Sequence, residues 1–183
     1  MKKEDIRRHV KARKTLLDNA ERQKAALSVF RKLENLAAFA MSDRILMYHS
    51  LPDELSTLEF IEKWHNRKRF FLPRVNGVDL EILPYDRTRM HLGAFRIEEP
   101  SGDDCQDPAD MELVVVPAVA YDIHGNRVGR GKGYYDRLLP KMRALKIGVA
   151  YDFQIFDEID IDSFDIPVDM VITETRVFKR KNR

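Results

Sequence analysis

The sequence is poor in cysteine, with Cys105 the only one among 183 residues. A single cysteine cannot form an intramolecular disulfide, and it cannot by itself build a cysteine-rich zinc site. Such a chain is typical of a reducing compartment, so we expect a cytoplasmic protein. The five histidines are scattered, without the close pairing of a histidine zinc site, and we therefore expect no zinc.

Long apolar runs are also absent. No stretch approaches the roughly 20 apolar residues of a membrane span, and no apolar core of a secretory signal follows the basic first residues. The charges are nearly balanced, with 32 Lys and Arg against 30 Asp and Glu, which gives no electrostatic indication of a nucleic-acid partner. Without repeats or low-complexity segments, we expect one domain over residues 1–183, acting as a monomer.

The most distinctive segment present is residues 125–137, Gly-Asn-Arg-Val-Gly-Arg-Gly-Lys-Gly-Tyr-Tyr-Asp-Arg. Its glycines allow positive φ and a close approach of the backbone to a ligand. The segment lies between a predicted strand and a predicted helix, where free N–H groups and the helix dipole attract anions. Asp136 lies far enough into the helix to hold a cation bound to the same anion. The pattern predicts a nucleotide polyphosphate with a metal ion.

The spacing of this segment matches neither common phosphate-binding motif. It lacks the four residues between glycines of a Walker A loop, and Tyr134 occupies the sixth position of a dinucleotide fingerprint, where Gly or Ala is needed. The alternative is a mobile basic loop on a solvated surface. The position between strand and helix favours the phosphate-binding interpretation.

Apolar periodicity gives a coarse secondary structure. Helices are predicted at residues 3–26, 28–39, 55–64 and 134–145. Strands are predicted at residues 44–48, 69–72, 80–83, 113–117, 146–150 and 169–173. The last three strands are continuously apolar, which suits a sheet covered on both faces. The alternation predicts a layered α/β fold with a mostly parallel sheet, whose ligands gather at the carboxyl ends of the strands.

Polar residues after two of these strands are further candidates. Residues 48–54 follow the first strand, and Glu54 is free to face a ligand even if the segment is a turn. Ser56 and Glu59 are spaced as a capping box for the next helix. Arg74 follows the second strand and suits a carboxylate or phosphate, although a solvated arginine fits the sequence equally well.

Two charged groups remain. Lys3 and Arg7 are four residues apart and share one helical face, for which a solvated surface is the default interpretation. An acidic stretch covers residues 157–169, and one of its carboxylates could complete a magnesium site with Asp136, since Mg²⁺ usually takes only one or two protein carboxylates.

Taken together, these motifs resemble the 5-formyltetrahydrofolate cyclo-ligase family, also called methenyltetrahydrofolate synthetases. The resemblance rests on the apolar strand Val-Val-Val-Pro-Ala-Val-Ala-Tyr-Asp followed by the glycine segment up to Asp136. Four shorter motifs occur in family order: Lys3-x-x-x-Arg7, Tyr48-x-Ser50-Leu51-Pro52-x-Glu54, Phe71-x-Pro73-Arg74 and Asp165-x-Pro167-x-Asp169. The resemblance therefore covers nearly the whole chain.

The resemblance implies a three-layer αβα fold like that of ribose-5-phosphate isomerase and CoA transferases, and it implies site residues. For ATP it implies Lys3, Arg7, Arg127, Gly129, Arg130, Gly131, Lys132, Gly133, Tyr134 and Tyr135. For the folate it implies His49, Glu54, Arg74, Arg130, Gly131, Lys132, Gly133 and Tyr134. For magnesium it implies Asp136 and Asp165. The histidine at position 49 departs from the family in identity.

The implied reaction converts 5-formyltetrahydrofolate and ATP to 5,10-methenyltetrahydrofolate, ADP and phosphate, with Mg²⁺. Phosphorylation of the formyl oxygen makes a leaving group that N10 can displace. Such chemistry needs positioning and neutralisation of charge, for which Arg130, Lys132 and Tyr134 are the catalytic candidates. No covalent nucleophile is needed, in agreement with the lack of a Ser/His or Cys/His set.

Three alternatives stay open on sequence grounds. A sugar-phosphate isomerase would use the same architecture without ATP. A non-catalytic folate-binding module would have no need of Arg130, Lys132 and Asp136 for phosphoryl transfer. A nucleic-acid-binding protein would use the basic N-terminal helix, although apolar positions and the acidic Asp18 and Glu21 interrupt its charges.

Overall fold

The computed structural model describes residues 1–93 and 96–180. The helices are α1 (Lys3–Lys14), α2 (Asn19–Glu34), α3 (Ala37–Met41), α4 (Leu58–Trp64) and α5 (Tyr134–Leu138). The first strands are β1 (Arg44–Leu46), β2 (Arg69–Asn76), β3 (Asp79–Pro84), β4 (Met90–Leu92), β5 (Glu98–Pro100) and β6 (Leu113–Val116). The remaining strands are β7 (Ala120–Asp122), β8 (Arg127–Val128), β9 (Leu145–Val149), β10 (Ile155–Phe156), β11 (Met170–Ile172) and β12 (Val177–Lys179).

A seven-stranded sheet organises the fold, in the order β12-β11-β9-β6-β1-β2-β3. The five inner strands are parallel to one another, and the edge strands β12 and β3 are antiparallel to β11 and β2. Every residue of β6, at the centre, is buried, as expected of a strand covered on both faces. The predicted α/β fold with a mostly parallel sheet is confirmed.

The two faces of the sheet bury alternate residues of the same strands. Ile45 belongs to the core under α2 and α4, whereas the next residue, Leu46, belongs to the opposite core under α5. This period of two follows from the pleat of a strand. The result is three layers, helix, sheet and helix.

α1 packs against a smaller sheet, whose strand order is β10-β7-β8. Ile6 and Val10 on one face of α1 pack against Ala120, Val128 and Ile159. This contact places the start of α1 beside the residues that follow β8. None of the helices in the described part of the chain is long and apolar enough to cross a membrane.

The prediction of one helix over residues 3–26 is wrong, because α1 ends at Lys14 and a second helix begins at Asn19. Asp18 caps a new helix, α2: its carboxylate accepts from the N–H of Glu21 at 2.8 Å, and the Glu21 carboxylate accepts from the N–H of Asp18 at 2.9 Å. This capping box satisfies N–H groups that would otherwise lack partners, so it favours a helix start at this point. α2 then runs through residue 28, where a second helix was predicted to begin.

Other predicted boundaries also shift. α5 ends at Leu138, not at residue 145, because Pro140 cannot continue an α-helix and the chain goes on as a 3-10 turn. The capping box predicted from Ser56 and Glu59 is not formed; α4 follows Thr57, whose hydroxyl donates to the carbonyl of Tyr48 at 2.7 Å. β2 continues beyond its predicted end at residue 72 by pairing with β3.

Candidate active site

A cleft of about 630 Å³ opens at the carboxyl ends of β1, β2 and β6, which is where open parallel sheets bind ligands. Its wall includes all but one of the site residues predicted from the sequence: Lys3, Arg7, His49, Glu54, Arg127, Gly129, Arg130, Gly131, Lys132, Gly133, Tyr134, Tyr135, Asp136 and Asp165. The fold thus gathers segments that are far apart along the chain into one cavity.

The glycine loop lies between β8 and α5. Gly131 has φ +95° and Gly133 has φ +68°, both in the region that favours glycine. A Cβ on Gly133 would lie 2.8 Å from Nη1 of Arg137, so the guanidinium packs against this bare backbone. Because α5 has only five residues, the loop and its side chains, not a long helix dipole, must supply the attraction for an anion.

α1 supplies two cations to the cleft. Nε of Arg7 donates to the carbonyl of Gly129 at 2.9 Å, which fixes the start of the glycine loop. Nζ of Lys3 lies 2.5 Å from Oδ2 of Asp165 and 2.6 Å from Oδ2 of Asp162. Burial lowers the pKa of Lys3, but the hydrogen bonds to these carboxylates outweigh burial and raise the pKa above its ordinary value. Lys3 therefore stays charged.

Arg127 and Asp136, both predicted to hold ligands, bind each other. Nη2 of Arg127 lies 2.5 Å from Oδ1 of Asp136, and the N–H of Ile166 donates to the same oxygen at 3.4 Å. The latter contact brings the segment next to Asp165 up to Asp136, and both aspartates line the cleft. Within the described residues, no group of three or more His, Cys, Asp or Glu side chains is placed to hold a metal ion.

Arg130 crosses the mouth of the cleft to the loop after β1. Its Nη2 lies 3.0 Å from Oε1 of Glu54 and 2.8 Å from Oδ1 of Asp53. The Glu54 carboxylate also accepts from the N–H of Leu51 at 3.0 Å, which orients it. Burial lowers the pKa of Arg130, but Glu54 and Asp53 outweigh burial and raise it.

The other end of the cleft combines an apolar wall with one polar pair. Nε2 of His49 lies 2.9 Å from Oε2 of Glu98. The apolar wall around this pair is formed by Leu51, Pro73, Val75, Leu80 and Ile97. A flat ring system with polar edges would suit such a surface.

The two tyrosines of the loop differ. Tyr135 packs against the core under α5, and burial raises the pKa of its hydroxyl well above the ordinary range. The Tyr134 hydroxyl donates to the carbonyl of Gly77 at 3.5 Å, at the tip of the β2–β3 hairpin. Tyr134 is therefore the freer of the two to change partners when a ligand binds.

Residues 1–174 match the sequence model of the 5-formyltetrahydrofolate cyclo-ligase family. The chain belongs to this family. The cyclo-ligase prediction, and with it the prediction of an enzyme, is confirmed at the level of the family.

Individual relatives agree. The chain is 26% identical to 5-formyltetrahydrofolate cyclo-ligase of Escherichia coli strain K12, over 93% of this chain and 99% of that protein. It is 29% identical to the mouse cyclo-ligase, over 94% of this chain and 93% of that protein. The NMR structure of Aquifex aeolicus 5,10-methenyltetrahydrofolate synthetase superimposes with a TM-score of 0.91 at 34% identity, covering 100% of this chain and 95% of that chain.

Arg74 is the one predicted site residue that the structure places elsewhere. Pro73 and Val75 of β2 line the cleft, so the alternation of the strand directs Arg74 to the other side. There its Nη2 lies 2.6 Å from Oε2 of Glu81, and its Nη1 donates to the carbonyl of Gly102 at 2.8 Å. Arg74 is a structural ion-pair partner and is not proposed as a folate ligand.

Sequence reasoning missed several residues at the cleft. Glu98 and Phe164 line it, as does Asp162 of the acidic stretch, which was not singled out, and Asp53 joins Arg130 to Lys14. Lys14 could have been found, because it lies seven residues beyond Arg7 on the same helical face. Asp53 lies in the candidate segment 48–54, but nothing in the sequence singled it out, since its partners are remote in sequence.

Proposed function

We propose that this chain catalyses the ATP-dependent cyclisation of 5-formyltetrahydrofolate to 5,10-methenyltetrahydrofolate, with release of ADP and phosphate. The single observation that carries the proposal is the convergence, in one cleft, of the glycine loop with the cations of α1 and the carboxylates of Glu54, Asp136 and Asp165. Membership of the cyclo-ligase family supports the same substrates.

The basic end of the cleft suits the polyphosphate of ATP. Lys3, Arg7, Arg130 and Lys132 bring positive charge to the glycine loop, whose exposed backbone allows phosphate oxygens to approach closely. Arg7 also keeps the loop in place through the carbonyl of Gly129. ATP binding is therefore assigned to α1 and the loop together.

Magnesium fits this end of the cleft. Both described bonds to Asp136 reach Oδ1, so its Oδ2 would be available to the ion, and Asp165, which lines the same cleft, would supply the second carboxylate. Two protein carboxylates suffice, because Mg²⁺ completes its shell with phosphate oxygens and water. When bound, the ion neutralises charge on the phosphates.

The opposite end suits the folate. The apolar wall, which includes Leu51 and Ile97, would cover the pterin ring. Glu54 and His49 offer hydrogen bonds to the polar edge of that ring. This arrangement directs the formyl group towards the glycine loop, between the two ligands. The loop residues 130–134 then contact both substrates, which explains their double assignment.

The chemistry requires only positioning and charge. The formyl oxygen attacks the γ-phosphorus and ADP leaves, which converts the amide oxygen into a phosphate ester. N10 then attacks the formyl carbon, the C–O bond breaks with its electron pair going to phosphate, and the N10 proton is released. Lys132 and Arg130 stabilise the charge on the transferred phosphoryl group, and Tyr134 orients the reacting formyl group.

We further propose that the protein acts in the cytoplasm. The support is the single cysteine, Cys105, which is exposed and free. An exposed thiol without a disulfide partner is typical of a reducing compartment.

The test is an absorbance assay for methenyl-folate with purified protein, 5-formyltetrahydrofolate, Mg²⁺ and ATP. We expect the methenyl band to grow only when ATP is present, with one ADP formed per methenyl product. A folded protein that gives no product would overturn the proposal and favour a sugar-phosphate ligand for the same cleft.

A further inference from the structure

Asp53 lies between two cations at the edge of the cleft. Its Oδ1 and Oδ2 are 2.8 and 3.1 Å from Nη2 of Arg130, and Oδ2 is also 3.1 Å from Nζ of Lys14. Asp53 is not part of the cleft wall formed by the described residues. Asp53 therefore contacts Arg130 without lining the cleft, while Arg130 itself lines it.

Lys14 anchors this carboxylate to the helical layer. It is the last residue of α1, and only 6% of its surface is exposed. Burial lowers the pKa of Lys14, since a buried ammonium loses its water. A buried cation needs a partner, and Asp53 supplies the carboxylate.

Arg22 of α2 holds the same two segments together. One of its nitrogens donates to the carbonyl of Lys14 at 2.5 Å, and the other donates to the carbonyl of Pro52 at 3.4 Å. The backbone on both sides of the Lys14–Asp53 contact is thus fixed by a third side chain. The turn that contains Asp53 is thus tied to the end of α1 and to α2 by side-chain contacts.

Glu54, the other partner of Arg130, is the residue assigned to the folate. If the folate takes the hydrogen bonds of Glu54, Arg130 keeps only its bonds to Asp53. We infer that Asp53, anchored by Lys14, is a positioning residue that holds the Arg130 guanidinium at the phosphate end of the cleft while Glu54 binds the folate. This inference rests on the proposed cyclo-ligase function.

The arrangement has an electrostatic consequence. The two cations, Lys14 and Arg130, are matched by the two anions, Asp53 and Glu54. Removing the charge of Asp53 leaves an excess positive charge beside the polyphosphate, which attracts ATP, but it frees the guanidinium to leave its catalytic position. Binding of ATP and the rate of the chemical step should therefore change in opposite directions.

The experiment measures kcat and the KM for ATP in Asp53→Asn, with formation of methenyl-folate as the readout. We expect kcat to fall by about 10-fold or more, as a misplaced group costs that much or more, while the KM for ATP stays the same or decreases. Asp53→Glu keeps the charge and should recover part of kcat. Asp43→Asn is the matched control. Asp43 forms an exposed ion pair with Arg69 at the amino ends of β1 and β2, whereas the cleft lies at their carboxyl ends.

Loss of stability must be separated from loss of position. Asp53→Asn leaves the buried Lys14 without its carboxylate, so the double variant Lys14→Met, Asp53→Asn is also needed. We expect the double variant to regain thermal stability while kcat stays low. A wild-type kcat in Asp53→Asn, or a kcat that recovers with stability in the double variant, would overturn the inference. An inactive wild-type protein would instead overturn the proposed function on which it rests.

Discussion

Arg127 and Asp136 form an ion pair in the wall of the cleft, with Nη2 of the arginine 2.5 Å from Oδ1 of the carboxylate. Only 4% of the arginine side chain is exposed. The stacking of the guanidinium near the ring of Tyr135, 5.9 Å from its centroid, places the pair between the loop and the core. Asp136 therefore has two tasks in the proposed enzyme, to neutralise a buried arginine and to hold the metal ion.

Replacing Asp136 by Asn separates these tasks. The amide oxygen can still accept from Arg127, but the charge that attracts Mg²⁺ is lost. We expect kcat/KM to fall by more than about 100-fold, with a loss of about 1 to 3 kcal/mol in the free energy of unfolding. Rates over a range of Mg²⁺ concentrations, with thermal melts, measure both. Asp160→Asn, which changes an exposed carboxylate outside the cleft, is the control and should behave as the wild type. Normal turnover in Asp136→Asn would contradict the assignment of Asp136 to the metal ion.

Lys132 is expected to act on the chemical step. It lines the cleft within the glycine loop and is exposed there. In Lys132→Ala we expect kcat to fall by about 100-fold, in the range found when one group that stabilises a transition state is removed, with a change of only a few fold in the KM for ATP. Lys141→Ala, at an exposed lysine beyond α5, should be unaffected. An unchanged kcat with altered folate affinity would contradict the phosphoryl-transfer role.

Arg74 and Glu54 should respond differently to substitution. Because Arg74 pairs with Glu81 outside the cleft, Arg74→Ala should leave the KM for the folate within about 2-fold while lowering the free energy of unfolding by about 1 to 2 kcal/mol. Glu54→Gln should raise the KM for the folate about 10-fold, since it weakens charge-assisted hydrogen bonds. Steady-state kinetics with varied folate distinguish the two, and a large KM effect in Arg74→Ala would restore it as a folate ligand.

Because of Glu34, the free energy of unfolding should decrease as pH falls through the acidic range. Burial raises the pKa of its carboxyl, but hydrogen bonds from Lys63 and Trp64 outweigh burial and lower the pKa below 4.5, its ordinary value. A lowered carboxyl pKa stabilises the fold above the unfolded pKa, and this contribution is lost as pH falls through the folded pKa. At neutral pH we expect Glu34→Gln to lower the free energy of unfolding by about 1 kcal/mol, and with it Tm. In strong acid we expect the Tm of the variant to match that of the wild type.

Fluorescence can follow this prediction, because Trp64 is the only tryptophan and its Nε1–H donates to Glu34 at 3.1 Å. Melts of both proteins are recorded at neutral pH and well below the ordinary Glu pKa. Glu59→Gln, at an exposed position of α4, serves as the control for loss of a surface carboxylate. A Tm difference that stays constant with pH would contradict the prediction.

The sequence predicted six of the seven strands of the main sheet, all but the edge strand β12, and most of the cleft, and the reasons are local. Buried parallel strands are continuous apolar runs, as in β6, and the glycine loop carries its chemistry within a few residues. The break between α1 and α2 was also visible in the sequence, in Asp18 and Glu21. The apolar period continued across it and masked the signal.

The errors have a different origin, because they depend on contacts that the sequence does not encode nearby. The side chain of Arg74 leaves the cleft because the strand continues past Pro73 in register with β3, and one residue decides the face. The role of Asp53 depends on Lys14, 39 residues away, and on Arg130, 77 residues away. These groups meet through contacts between remote segments, among them the packing of α1 against the small sheet.

The most direct test of the account follows the formyl oxygen. The protein is supplied with ATP, Mg²⁺ and 5-formyltetrahydrofolate that carries a heavy oxygen isotope in its formyl group, and the released phosphate is examined by mass spectrometry. Because the formyl oxygen attacks the γ-phosphorus and later leaves with it, the account predicts that each phosphate carries one heavy oxygen. Unlabelled phosphate formed alongside methenyl-folate would contradict phosphorylation of the formyl oxygen.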